Sequence, residues 1–254
     1  MRGQDQQAYD RGSAMFSPDG RIYQVEYAHE AVSQGATTTA VLIDEGIVLA
    51  VSKHLDPLLV GESIEKIHKV DDHVGIATTG HVADGRKLVD QAREAAQVHR
   101  LRYEEPIPVD SLTKGLTDDI QEHTQRAGTR PYGVSLLVGG VTDGQPALFE
   151  ADPSGNPRSW RGRAVGDGSE AAQEYLEEEY DPDLGVDGAI ELALAALAES
   201  GTDLSPSNID VATIRTDTAR FDSLADDVIA DYVDAVAEDD DQSAADESQD
   251  ADEE

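Results

Sequence analysis

Three consecutive hydroxyls, Thr37-Thr38-Thr39, open a β-branched run, and Lys66 follows downstream; these are the residues whose types best suit nucleophilic catalysis. A threonine hydroxyl is a poor nucleophile until a base takes its proton. Inside a chain Thr37 carries an amide rather than an amine, so it has no such base on its own nitrogen. It would serve only if the chain were cut before it; otherwise the three threonines read as strand formers. Two other patterns invite chemistry. Gly166-Asp167-Gly168-Ser169 has the glycine content of a phosphate loop, but the Asp167 carboxylate repels phosphate. His68 and His73 flank a turn with no third ligand at metal spacing, so they read as surface histidines, and neither metal nor cofactor is expected. Glu177, Glu178 and Glu179 read as a solvated helix face.

The elements that must carry these residues are legible from period and punctuation. Ser17-Pro18-Asp19-Gly20 writes a tight turn, since proline fixes φ and glycine tolerates the far corner. A short amphipathic helix follows over 21–35, with Val25, Ala28 and Val32 on one face and Tyr23 and Tyr27 on a neighbouring stripe. Strands are predicted at 37–43 and 47–51, continuous rather than alternating in apolar character, and again at 66–70 and 74–79. A helical hairpin spans 82–103 and 109–126, with Asp110 placed to cap its second member. Further strands fall at 134–141 and 147–151, with short pieces near 159 and 163–166. Helices at 169–180 and 186–200, a strand at 209–215 and a helix at 224–236 complete the pattern. Such an order predicts an α+β fold, a four-layer α/β/β/α sandwich of two antiparallel sheets with helices on the outer faces.

The chain has 39% apolar residues, enough for a sizeable core, yet a formal charge of −34 and a pI near 4.2. Residues 237–254 hold ten acids and no base, which leaves −24 on the rest, so the body is acidic as well as its end. That balance excludes nucleic acid as a partner and disfavours an anionic membrane surface. Only five residues are lysines: Lys53, Lys66, Lys69, Lys87 and Lys114. Self-repulsion of such a body is screened at ~1 M salt, where the Debye length is ~3 Å, which predicts adaptation to a salt-rich cytoplasm. There is no cysteine, no apolar run long enough to span a bilayer and no secretory pattern at the start, so the cytoplasm is the expected compartment. One domain is expected over 1–236, followed by a disordered acidic tail, 237–254.

Tyr9-Asp10-Arg11, Phe16-Ser17-Pro18-Asp19-Gly20-Arg21, Gln24-Val25-Glu26-Tyr27-Ala28 and Glu30-Ala31-Val32 closely resemble the N-terminal signature of α-type proteasome subunits. The resemblance continues in the same order through Ser63-Ile64-Glu65-Lys66-Ile67, Gly80 with Val82-Ala83-Asp84, and Arg130-Pro131-Tyr132-Gly133-Val134-Ser135-Leu136, as far as about Tyr180. It implies the Ntn-hydrolase form of the sandwich. It also implies a non-catalytic subunit of an archaeal, haloarchaeal-like 20S core particle serving ubiquitin-independent protein degradation. Its partners would be other α-type subunits in a heptameric ring, β-type subunits that carry the threonine proteolysis, and an AAA-type regulatory ATPase.

Carried over residue by residue, the resemblance makes 1–12 a pore-gating segment, with Tyr9, Asp10, Pro18 and Tyr27 stabilising the open arrangement. Lys66 would pair with the C-terminal carboxylate of the ATPase, with Gly35 and Gly80 leaving space beside it. The proteolytic β-type relatives expose a threonine by cleavage after glycine; here Ala36 precedes Thr37, and Ser52-Lys53 stands near where those enzymes carry a supporting acid. The opening helix is expected to lie across the cleft of a would-be active site. The chain departs from the family at His29, His81 and Gly85, the last expected to weaken its helix by ~1 kcal/mol. The alternative from the enzyme class is a self-processed N-terminal threonine hydrolase with Thr37 as nucleophile; a free acidic binding module is a third.

Overall fold

A computed structural model of the chain describes residues 16–126 and 128–250. The elements in order are α1 (Tyr23–Ser33), β1 (Thr38–Ile43), β2 (Gly46–Ser52), β3 (Ile67–Asp71), β4 (Val74–Gly80), α2 (Val82–Tyr103), α3 (Val109–Gln125), β5 (Val134–Thr142), β6 (Gln145–Ala151), β7 (Pro157–Ser159) and β8 (Gly162–Val165). They continue with α4 (Ser169–Glu179), α5 (Val186–Glu199), β9 (Ile209–Arg215), β10 (Arg220–Ser223) and α6 (Asp226–Asp250). Two five-stranded antiparallel sheets form, one ordered β10-β9-β2-β1-β8 and the other β3-β4-β5-β6-β7. Helices cover both outer faces, as the order of elements predicts.

Strands β1 and β2 show why continuous apolar runs were required. Paired from Thr38↔Val51 to Ile43↔Gly46, they send alternate side chains to two different cores. Val41, Ile43, Val48 and Ala50 meet Ala193, Leu194 and Leu197 of α5 beneath the first helical layer. Ala40, Ile47, Leu49 and Val51 face the other sheet, where Ala77, Leu137, Val141 and Leu148 meet them. A third core lies between the second sheet and the α2–α3 pair, built on Ile76, Leu88, Leu112, Ile120 and Leu136.

Three boundaries differ from the sequence reading. Asp110 does not cap α3: Pro108 holds that position, Asp110 sits in the first turn paired with Lys114, and the Val109 N–H is satisfied by Thr142 Oγ1 at 3.1 Å, a partner supplied by β5. The β10 strand has only Phe221 as an apolar signal, yet it pairs with β9, and its Phe221 N–H donates to Asp72 O at 2.6 Å. The last helix does not stop at Val236 but runs to Asp250. Alanine, glutamate and glutamine there favour helix despite the charge.

Candidate functional site

The possible nucleophile lies where the chain enters the first sheet. Thr37 is buried, and its hydroxyl donates to the Asp167 carbonyl. Its own carbonyl accepts the Ser52 N–H at 2.9 Å and the Ser52 hydroxyl at 3.1 Å. The Asp167 N–H donates to Gly35 O at 2.7 Å, so the loop with the look of a phosphate cradle spends its amide on holding the approach to Thr37. Thr38 accepts from the Thr79 hydroxyl at 2.6 Å and Thr39 donates to Ala193 O at 2.9 Å. Every hydroxyl of the triplet is thus committed to structure.

Beside Thr37 is a hollow of about 190 Å³ lined by Ser52, Lys53, His54, Asp167, Ser200 and Asn208 among others. The lysine that lines it is Lys53, not Lys66, and its Nζ is bonded to Asp210 Oδ1 at 2.7 Å. Thr37 and Lys66 are therefore not brought together there. Nor does any residue of α1 line the hollow; the helix packs instead over the ends of β4 and β5.

Lys66 stands just before β3, its carbonyl accepting the Thr78 N–H at 2.9 Å. It is only 8% exposed, and burial pushes its ammonium down to about 8, against the upward pull of Asp210. Among the described residues Lys66 Nζ makes no hydrogen bond or ion pair. Two residues along β4 from Thr78 comes Gly80, and Gly35 packs on it: a Cβ on Gly35 would stand 2.6 Å from Gly80 N. Gly80 has φ +110, and a Cβ there would meet Gly133 O at 2.4 Å. The structure thus places Gly35, Gly80 and the Lys66 strand side by side.

Of the proposed gating residues, Tyr9 and Asp10 lie outside the described residues. Pro18 occupies a turn closed by the Gly20 N–H to Ser17 O bond at 2.9 Å, with Gly20 at φ +77. Tyr27 is 52% exposed on α1, off the face that buries Ala28 and Val32. His29 is exposed on the same helix, and His81 precedes α2 with its N–H on Gly133 O at 2.7 Å.

Sequence reasoning missed the group that ties these pieces together. Asp84, in the first turn of α2, accepts Arg130 Nη1 at 2.5 Å, Arg130 Nη2 at 2.9 Å and the Gly133 N–H at 2.9 Å. Burial opposes its charge, but the guanidinium and the amide outweigh that and hold its carboxyl below the usual range. Both partners were visible as separate motifs, Val82-Ala83-Asp84 and Arg130-Pro131-Tyr132-Gly133; only the fold joins them. The histidines need correcting too. His68 and His73 are both buried, His68 against Glu65 at 3.4 Å and His73 with Nε2 on Ile107 O at 2.8 Å, in the connection between α2 and α3. Among the described residues no cluster of three or more His, Cys, Asp or Glu is placed to hold a metal.

The family model described as "Proteasome subunit" matches residues 32–214, and a second model, for the N-terminal signature of A-type proteasome subunits, matches residues 9–31. The proteasome alpha 2 subunit of Haloarcula marismortui is 53% identical over 232 residues, covering 91% of this chain and 95% of that protein. The proteasome alpha subunit of Haloquadratum walsbyi is 52% identical over 236 residues, 92% of this chain and 94% of its own. The proteasome alpha 1 subunit of Haloferax volcanii is 51% identical over 249 residues, 95% and 99% respectively. With both sheets, both helical layers and the N-terminal signature in place, this chain belongs to the proteasome subunit family and carries the signature of its alpha type.

Proposed function

We propose that this chain is a non-catalytic ring subunit of a cytoplasmic 20S proteasome core, joining six further α-type subunits to form a gated pore above β-type subunits that do the proteolysis. The observation that carries this reading is the state of Thr37: internal, buried, its hydroxyl donated to Asp167 O, and the lysine beside it neutralised by Asp210. The Thr37 nitrogen is an amide rather than the amine that serves as base in a threonine hydrolase, and the Lys53 ammonium is committed to Asp210. Residues 1–12 would block the pore, Tyr9, Asp10, Pro18 and Tyr27 would stabilise its open form, and Lys66, with Gly35 and Gly80 leaving space beside it, would receive the terminal carboxylate of an AAA-type ATPase. A desolvated ammonium with no hydrogen bond or ion pair among the described residues suits that role, since a charge-assisted bond shielded from water contributes about 1.5 to 3 kcal/mol and seven pockets add avidity.

Deleting residues 1–12 from particles assembled with the β-type partner tests the gate: peptide hydrolysis should accelerate, and an unchanged rate refutes pore blocking. Lys66→Ala should abolish stimulation by the ATPase while rings persist in electron micrographs; continued stimulation rejects the docking role. Intact mass guards against the hydrolase alternative, because loss of everything before Thr37 would restore it. The relatives' haloarchaeal sources and the charge of −34 support function in concentrated salt. Circular dichroism during salt dilution should show loss of the fold, and full folding in millimolar salt contradicts that.

A further inference from the structure

We infer that Asp84 and Arg130 are a positioning pair for α1, fixing the seat on which that helix rests and linking it to the strand edge that bears Lys66. The inference rests on the gating reading above and adds a residue pair to it. The seat is made where side chains are missing. A Cβ on Gly133 would lie 3.4 Å from Ala31 Cβ of α1, 3.7 Å from His81 Cβ and 3.9 Å from Asp84 Oδ2, so helix, turn and carboxylate converge on one backbone position. Gly133 is held from both sides: its N–H by Asp84 at 2.9 Å, its carbonyl by the His81 N–H at 2.7 Å.

From that point a continuous set of contacts reaches the docking edge. Gly85, beside Asp84, is packed on Thr78, whose side chain would be 3.2 Å from a Cβ there, and the Thr78 N–H is bonded to Lys66 O. A carboxylate in the first turn of a helix, gripped by a two-pronged guanidinium, is a rigid joint rather than a hinge. Movement at the Lys66 edge is therefore passed to Gly133, and through Ala31 to α1, instead of being absorbed in the loop before β5.

The test uses the assembled α/β particle, a fluorogenic peptide and the stimulating ATPase, with Asp84→Asn and Arg130→Ala made both in the full chain and in the chain lacking residues 1–12. In the full chain each variant should raise basal hydrolysis about 5-fold or more and lower the stimulation ratio by a similar factor, the scale of ordinary coupling between sites. In the shortened chain neither should change the rate further, because α1 stays but the blocking segment ahead of it is gone. Unchanged basal and stimulated rates in intact rings overturn the inference, and so does an equal change in both backgrounds, which marks general damage. Should Asp84→Asn fail to form rings, Arg130→Ala decides by the same criteria, its side chain being 56% exposed and outside the core. If the deletion alone leaves the rate unchanged, the gating reading falls and this inference falls with it.

Discussion

Two regions at the same end of the sandwich make an instructive contrast: the hollow beside Thr37 and the seat beneath α1. The hollow is crowded with functional groups, and three of them are spent on neighbours, Thr37 on Asp167, Ser52 on Thr37, Lys53 on Asp210. The seat is built from Gly35, Gly80 and Gly133, which offer no side chain at all, beside a lysine with no partner among the described residues. Polar groups satisfied by one another make a site inert, whereas bare backbone and a cation without a hydrogen bond among the described residues leave room for something else to bind.

The seat should be the brittle region. Gly80→Ala forces a side chain into φ +110 and onto Gly133 O, so a loss of about 3 kcal/mol or more is expected, read by thermal unfolding; a loss under about 1 kcal/mol would show that the seat is loose. Next in size is Lys66. Its ammonium is depressed from 10.5 to about 8 in the folded chain, so the folded state binds fewer protons than the unfolded between those values. Stability therefore rises with pH across that window, the burial cost being full below about 8 and gone above 10.5. Lys66→Met should remove this slope and be more stable at pH 7 by on the order of 1 to 3 kcal/mol, measured as the difference between the two denaturation series. An identical slope would mean that Lys66 is solvated.

The hollow should tolerate more. Thr37→Ala removes one hydrogen bond to a backbone carbonyl and should cost about 1 kcal/mol, with peptide hydrolysis by the assembled particle unchanged. A drop in hydrolysis would erase the contrast between the regions. The smallest effect is expected at Gly85, where alanine gains ~1 kcal/mol of helix propensity but must push Thr78 Cβ and Cγ2 from 3.2 and 3.3 Å. A net change within about 0.5 kcal/mol in chemical denaturation is the expected balance; a full gain would show that Thr78 gives way freely.

That last case shows what a linear reading leaves out. Taken along the chain, Gly85 is a helix weakener; in space it lets α2 approach β4. Asp84 and the Arg130 motif are each visible, but a carboxylate that grips a guanidinium 46 residues away has no period or spacing to announce it. His68 and His73 look like turn residues because what buries them is placed by contacts made far along the sequence. Asp110 looks like a cap because the competing acceptor, Thr142, belongs to another strand.

By itself the sequence determined the layers. Runs buried on both faces, helices with one apolar stripe and turns with proline and glycine leave one arrangement of two sheets between two helical layers, because local backbone preference and apolar period are properties of neighbouring residues. Tertiary structure alone decided which groups neutralise each other: that Lys53 finds Asp210 while Lys66 finds no hydrogen bond or ion pair among the described residues, that Thr37 spends its hydroxyl inward, and that three glycines meet beneath α1. Charge pairing and close approach depend on distance through space, and residues far apart along a chain carry no local record of it.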